Sequence, residues 1–494
     1  MANSVSAGFR LSAQQERVWA QLYGAEAGPC CASATILIEG PLEVDRLHEA
    51  LRRLVSRHEI LRTLFHRQAG LKLPFQVIRD SAEPLWNFAG LGERGAEAEG
   101  ERQRLLRDLR SRPFDLEQGP TFRALLAELA ADRHRLTLDL PVLCADASSL
   151  ENLTQELGRE YAGAPANDEA MQYADVVEWQ NEILEGEDTR AGRDFWRDYF
   201  RNLDLDALES FSLPFADKPA GGFRPEVFEF ALGPGTIASC RAHHDSLRNF
   251  LLSCWMVLVS RLTGGETITI GCGFDGRKYQ ELEDALGVFA KSLPIRATVR
   301  SDTRFDAVLC QAGEAVAEAS QWQESFAWSK VEGLADSNSV VLPLAFDYRE
   351  VPARQSLGAV SFELEEVSAP LEPYGLKLEV VGDRGGVRLK LHYDAARLER
   401  AAVVRMAGYY QTLLEAAVAA PETPVGRLPL VAEGERQQLL VEWNQTSAAY
   451  PAERCLHELF EAQAGRTPER TALVSGTQAL SYAEWNRQAN RLAH

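Results

Sequence analysis

The chain has 494 residues, with 52 Lys plus Arg against 72 Asp plus Glu, a net charge of −20. That length exceeds one hydrophobic core and predicts two domains or lobes plus extra segments. The acidity argues against nucleic acid or an anionic membrane surface as the partner.

The N-terminus, "MANSVSAGFRLSAQQERVW", lacks an apolar h-region, so no signal peptide is expected. Ser12 with Gln15 has the spacing of a capping box opening a helix. Leu47, Leu51 and Leu54 fall on one face of a following helix. In "HRLTLDLPV", Leu136, Leu138, Leu140 and Val142 alternate with Thr137, Asp139 and Pro141, the period of a half-buried strand. Ser148 and Glu151 then read as a capping box, with Leu150, Leu153 and Leu157 at helical spacing behind it. Pro214, Pro219, Gly221, Gly222 and Pro225 mark a connector. "LKLEVVGDRGGVRLKLHY" reads as a hairpin turning around Gly382, Gly385 and Gly386, followed by a long helix. Pro421, Pro424 and Pro429 make a second break. Interleaved helices and strands give a mixed α/β or α+β fold. There is no fixed-period repeat and no low-complexity tract.

Eight cysteines, at 30, 31, 144, 240, 254, 272, 310 and 455, form no CxxC, so neither a zinc ribbon nor a redox motif is expected, and no residue set is assigned to a metal. Reduced thiols in a cytoplasmic compartment are the simpler reading. The longest apolar runs, such as "FLLSCWMVLVSRL", stop short of a membrane span.

Several ordered blocks resemble the condensation domain of non-ribosomal peptide synthetases, in the chloramphenicol-acetyltransferase-like superfamily. "LSAQQERVWAQL" is similar to the first family motif, with Ser12, Ala13, Gln14, Arg17 and Trp19 in place; "RHEILRTLF" (57–65) matches the second in full. "YADVVEWQ" (173–180) is similar to the fourth, and "GVFAKSLPIR" (287–296) resembles the fifth with Lys291 where Asn is usual. "WQESFAW" (322–328) is a poor version of the sixth. The tail, with "LSYAEWNRQANRLAH", looks like a linker and the opening of an adenylation domain, stopping before any adenylating chemistry. The resemblance implies two similar lobes in a V with a central tunnel: an N-terminal lobe at 1–185, a C-terminal lobe at 186–432, a linker at 433–454 and a truncated adenylation start at 455–494. With Met1 just before the first motif, the piece looks like the N-terminus of a larger synthetase.

The resemblance also implies a reaction. The family passes an acyl group from one carrier-protein 4'-phosphopantetheine thioester to an amine on a second carrier, and binds no cofactor of its own. Its third motif is two His, three variable residues, Asp and Gly, and the second His has the catalytic role. This chain has Pro141, Val142, Leu143, Cys144, Ala145, Asp146 and Ala147 there. Only Asp146 survives, and an isopropyl group at 142 neither takes a proton nor bonds an amine. The family implies a structural pairing of Asp146 with Arg62 and a structural role for His58. Cys144, in the replaced motif, is a candidate nucleophile, but with no neighbouring His or Lys to lower its pKa a buried, inert thiol is the plainer expectation. Lys291 could reach the tunnel and hold a carboxylate or phosphate, with a surface lysine as the plainer expectation. His243-His244-Asp245 reads as a surface turn. Asp146 with Ser149 is similar to the heterocyclisation variant of the motif, although Pro141 replaces that variant's first Asp.

Three roles follow: an atypical condensation enzyme, a catalytically silent platform that docks a carrier protein or a tailoring enzyme, and a spacer supporting the downstream adenylation domain. An open, polar tunnel would favour the first and a plugged one the second.

Overall fold

The computed structural model describes residues 8–23, 31–93, 95–164, 170–186, 189–201, 213, 223–243, 246–331, 340–383, 386–450 and 452–494. The chain divides into two units, Met1–Ala432 and Glu433–His494.

In chain order the strands of the first unit are β1 (Gly8–Phe9), β2 (Cys31–Glu39), β3 (Thr63–His66), β4 (Phe75–Ile78), β5 (Leu85–Gly90), β6 (Arg123–Ala130), β7 (Arg133–Pro141), β8 (Pro225–Ala231), β9 (Thr267–Phe274), β10 (Lys291–Thr298), β11 (Leu344–Glu350), β12 (Gln355–Leu357), β13 (Val360–Ser368), β14 (Leu376–Asp383) and β15 (Gly386–Asp394). Two six-stranded sheets carry the architecture, in the orders β12-β13-β2-β7-β6-β5 and β10-β9-β11-β14-β15-β8. Helices pack on both, so the fold is mixed α/β.

Each sheet has its own core. The first gathers Leu47, Leu51 and Leu54 from helix Val44–Arg57, Leu150, Leu153 and Leu157 from helix Ala147–Ala162, and the inward residues of β2 and β7. The second is built around helix Leu247–Thr263, which is buried along most of its length, and helix Arg400–Ala419. A boundary at 185 does not separate the sheets cleanly. β12 and β13, late in the chain, close the first sheet, with β13 antiparallel to β2 from Ser361↔Glu39 to Ser368↔Ser33. Leu282, Leu286, Val288 and Phe289 also enter the first core.

β7 lies between β2 and β6, so both its edges are paired, and Thr137 and Asp139 are buried along with the leucines, with Arg110 laid over Asp139. The strand ends at Pro141, and Val142 lies in the turn that follows, not in the strand. Pro225 opens β8 at a sheet edge, where a missing N–H is tolerated. Gly382 and Gly386 lie on the paired strands β14 and β15. Pro214, Pro219, Gly221, Gly222 and Gly385 fall outside the described residues. Among the described residues no helix is long and apolar enough to cross a membrane.

The second unit holds helix Leu456–Arg466, strands β16 (Thr471–Ser475) and β17 (Gln478–Ser481), and helix Tyr482–Ala493. A Ser481–Glu484 capping box starts the last helix, and Trp485 packs edge-on against Phe460 with ring centroids 4.6 Å apart.

Candidate active site

The loop after β7 is an apolar plug around one carboxylate. Val142, Leu143 and Cys144 are 0% exposed and Ala145 is nearly so. The turn is closed by Cys144 N–H donating to Pro141 O at 2.8 Å, and Gln15 Nε2 donates to Leu143 O at 2.9 Å. Helix Ala147–Ala162 begins two residues earlier than a Ser148 cap would place it. Asp146 is the N-cap, accepting from Ser149 N–H at 2.7 Å.

Asp146 pairs with Arg277, not with Arg62. Its Oδ1 accepts from Ser149 N–H, Ser149 Oγ (2.7 Å) and Arg277 Nη2 (3.0 Å). Its Oδ2 accepts from Arg277 Nη1 (3.0 Å), Phe289 N–H (2.8 Å) and Ala290 N–H (2.9 Å). Burial pushes this carboxyl up, but the Arg277 charge and the hydrogen bonds overcome it and hold the pKa below the usual Asp value. Arg62 instead ties its own motif together, donating to Arg79 O at 2.6 Å and facing Glu59 at 3.7 Å. The second motif runs into β3, which pairs with β4, and its cation is spent on the carbonyls of Arg79 and Ser56.

Motifs far apart in the chain meet at this loop. Ser149 Oγ also lies 2.6 Å from Gly287 O, and Tyr173 OH donates to Val288 O (2.7 Å) and contacts Ser12 Oγ (2.9 Å). Ser12 and Gln15 form the expected capping box. The first, third, fourth and fifth motifs are therefore one hydrogen-bonded cluster.

Burial pushes the Cys144 thiol far up, so it carries no thiolate at neutral pH. His58 Nε2 lies 2.7 Å from Glu156 Oε2 and joins two helices. Lys291 is not a surface lysine: it is 7% exposed, and its Nζ donates to Gln323 O (2.9 Å) and Glu324 Oε2 (3.1 Å). The motif-five backbone turns inward around Asp146 and carries Lys291 with it. Ser149 is wholly engaged with Asp146, Arg277 and Gly287. His244 and Asp245 lie outside the described residues; His243 ends helix Pro234–His243.

Open space lies beyond the loop. A cavity of about 210 Å³ is bounded by Ala147 and Ser148 on one side and by a charged face of β11, β14 and β15 on the other. A second, of about 30 Å³, is narrowed by Arg17, Trp328 and Glu372. Arg17 grips Glu372 through two bonds of 2.8 and 2.9 Å and stacks over Trp328 at 4.4 Å. Lys291 borders both cavities, whereas Pro141 and Val142 border neither.

The charged face is a connected network. Glu151, in the helix that Asp146 caps, accepts from Arg349 Nη1 (2.8 Å), and Arg349 Nε donates to Glu379 (3.0 Å). Glu379 Oε2 lies 2.7 Å from His392 Nε2, and Lys377 Nζ donates to Asp347 at 2.9 Å. Burial opposes the charge on Glu379, yet the His392 hydrogen bond with the Lys377 and Arg349 charges holds its carboxyl far below the usual range. Burial also lowers His392, against the pull of Glu379.

Sequence reasoning passed over Arg277, Arg349, Glu379 and His392. The available signal was alternation: Lys377 and Glu379, then Lys390 and His392, each two apart on a strand. In a hairpin such alternation reads as a solvent face, and only the topology turns it onto a cavity.

The chain matches the family model described as Condensation domain over residues 6–440. Tyrocidine synthase 3 of Brevibacillus parabrevis is 28% identical over 505 residues, 98% of this chain and 8% of the synthase. Surfactin synthase subunit 1 of Bacillus subtilis (strain 168) is 28% identical over 497 residues, 98% of this chain and 14% of that subunit. The chain thus spans a small part of the curated relatives it matches. Among solved structures, the condensation domain from Monacolin K polyketide synthase MokA superposes with a TM-score of 0.75 at 22% identity, covering 86% of this chain and 100% of that one. The X-domain from teicoplanin biosynthesis gives 0.73 at 23% identity, covering 87% and 99%. The chain belongs to the condensation domain family, with the mixed α/β fold of its solved members.

Proposed function

We propose that this chain is an atypical condensation domain of a non-ribosomal peptide synthetase, working in the cytoplasm. It receives acyl and aminoacyl thioesters on the 4'-phosphopantetheine arms of carrier proteins and joins them as an amide. The observation that carries this reading is the cavity of about 210 Å³, bounded by the start of the motif helix and, among apolar side chains, by the ionisable Lys291, Arg349, Lys377, Glu379 and His392. Thioester aminolysis gains much of its rate from holding both reactants together. The motif loop supplies no base, because Val142 is an alkyl side chain with 0% exposure.

That burial favours a second reading, a silent platform that docks a carrier protein or tailoring enzyme. One solved neighbour is a complex of the X-domain and OxyB from teicoplanin biosynthesis. Residues 433–494 fit either role as a linker and the opening of an adenylation domain.

Intact-protein mass spectrometry of two carriers, one acylated and one aminoacylated, separates the readings. Amide on the acceptor carrier supports condensation. Carrier binding without amide supports the platform.

A further inference from the structure

We propose that His392 is the proton acceptor for acyl transfer in the larger cavity, taking the role that the motif loop has lost. This rests on the condensation reading. The ring borders the same cavity as Ala147 and Ser148. Its Nε2 is 2.7 Å from Glu379 Oε2. Glu379 also receives Arg349 on its other oxygen and lies beside Lys377, so it is an ionised, acceptor-only carboxylate. Nε2 must therefore carry the hydrogen, which leaves the lone pair on Nδ1. Among the described residues, Nδ1 has no hydrogen-bond partner. Tyr374 packs edge-on against the ring, with centroids 6.1 Å apart. The support runs back from Glu379 through Arg349 to Glu151, on the helix that starts at Ala147. A carboxylate that fixes the tautomer of an imidazole facing a substrate space is the arrangement general-base catalysis requires.

The step balances. The acceptor amine attacks the thioester carbonyl carbon and a C–N bond forms. His392 Nδ1 takes the amine proton. The tetrahedral intermediate collapses, the C–S bond breaks, and the imidazolium returns the proton to the leaving thiolate. Amide and free thiol leave with the ring neutral again.

His392→Gln keeps a donor for Glu379 but has no base, so it separates chemistry from packing. The probes are hexanoyl-pantetheine as donor and the proteinogenic aminoacyl-pantetheines in turn as acceptors, with amide read by mass spectrometry. The native protein is expected to form amide and His392→Gln to lose about 100-fold in rate. Added imidazole should restore part of the rate to His392→Ala. The native rate should fall on acidification, with a midpoint below the ordinary imidazole value. The groups facing the ring are Glu379 and Lys377 from β14, Arg349 and Asp347 from β11, Lys390 on its own strand and Tyr374; its β8 partner, Val227, is uncharged. The pH profile needs no variant, so a flat one overturns the assignment even where a substitution unfolds the protein. A His392→Gln rate equal to native, or a profile flat through the imidazole range, overturns the assignment and leaves the condensation reading standing. No amide from the native protein across the panel overturns both.

Discussion

The motif loop and the β11–β14–β15 face solve the same electrostatic problem to different ends. Each buries a carboxylate against an arginine: Asp146 with Arg277, and Glu379 with Arg349. At Asp146 both oxygens are satisfied by the scaffold itself, including two backbone N–H groups of the fifth motif, and the side chain is 0% exposed. Nothing there can exchange a proton with a substrate. At Glu379 one oxygen holds an imidazole whose second nitrogen is left over, beside a cavity. A buried ion pair therefore marks architecture when all its donors belong to the fold. It marks chemistry when one titratable atom faces a space that a reactant can enter.

The largest effect expected from this contrast is at the closed pair. Arg277→Met leaves Asp146 charged and unpaired in the interior and should cost about 3–5 kcal/mol. Arg62→Met, which loses bonds to local carbonyls and a 3.7 Å ion pair with Glu59, should cost about 1–2 kcal/mol. Urea denaturation of both variants measures the difference, and a larger loss at Arg62 would reinstate the pairing that the family resemblance implies. The same pair sets an acid dependence. The folded pKa of Asp146 is depressed, so its contribution is fully present above the ordinary Asp value. It is lost as pH falls through the lower folded value, and Arg277→Met should remove that part of the acid unfolding profile.

Next in size is Gly287→Ala. An added Cβ would run into the Tyr173 ring, whose hydroxyl ties Ser12 to Val288. Overpacking of this kind costs about 1–3 kcal/mol, read as a lowered denaturation midpoint. Val142→His should cost a similar amount, about 1–3 kcal/mol, because a larger polar ring enters a fully covered apolar site. It should bring no gain in amide formation, since position 142 borders neither cavity. A rate gain would mean that the loop opens onto the substrate space, and the contrast between the two regions would weaken.

The legible parts were those set by local periodicity. The helix faces of Leu47, Leu51 and Leu54 and of Leu150, Leu153 and Leu157, the Ser12–Gln15 box and the β14–β15 hairpin all follow from nearest neighbours in the chain. The unreadable parts depend on pairings across long separations. The partner of Asp146 lies 131 residues away, and nothing around Arg277 distinguishes it from other arginines. β13 joins β2 from far along the chain, Ser361 opposite Glu39, which no boundary read from Pro and Gly content can show. Ser148 lost the cap to Asp146 because a carboxylate already held by Arg277 points at the free N–H of Ser149. One reason made a surface position the plainer expectation for Lys291 and hid the Lys377–Glu379 alternation: charged residues on strands look exposed until a second layer covers them.

The smallest expected effect, at Cys144, tests whether the loop is as closed as its packing implies. The thiol is fully covered, and burial keeps it protonated. Iodoacetamide needs thiolate and access, so it should label the exposed Cys455 and, more slowly, Cys310, whose thiol is held protonated by its bond to Glu314, and leave Cys144 unmodified in the native protein. Cys144→Ala removes one atom from an apolar cluster and should cost about 1 kcal/mol, within the range for small core deletions. Amide formation should be unchanged, because a buried thiol at the back of the loop touches no substrate. Native-state labelling at Cys144 at a rate near that of Cys310 would require the Pro141–Asp146 segment to open. The Asp146–Arg277 pair would then be a latch, and the proton acceptor would have to be sought in the loop again.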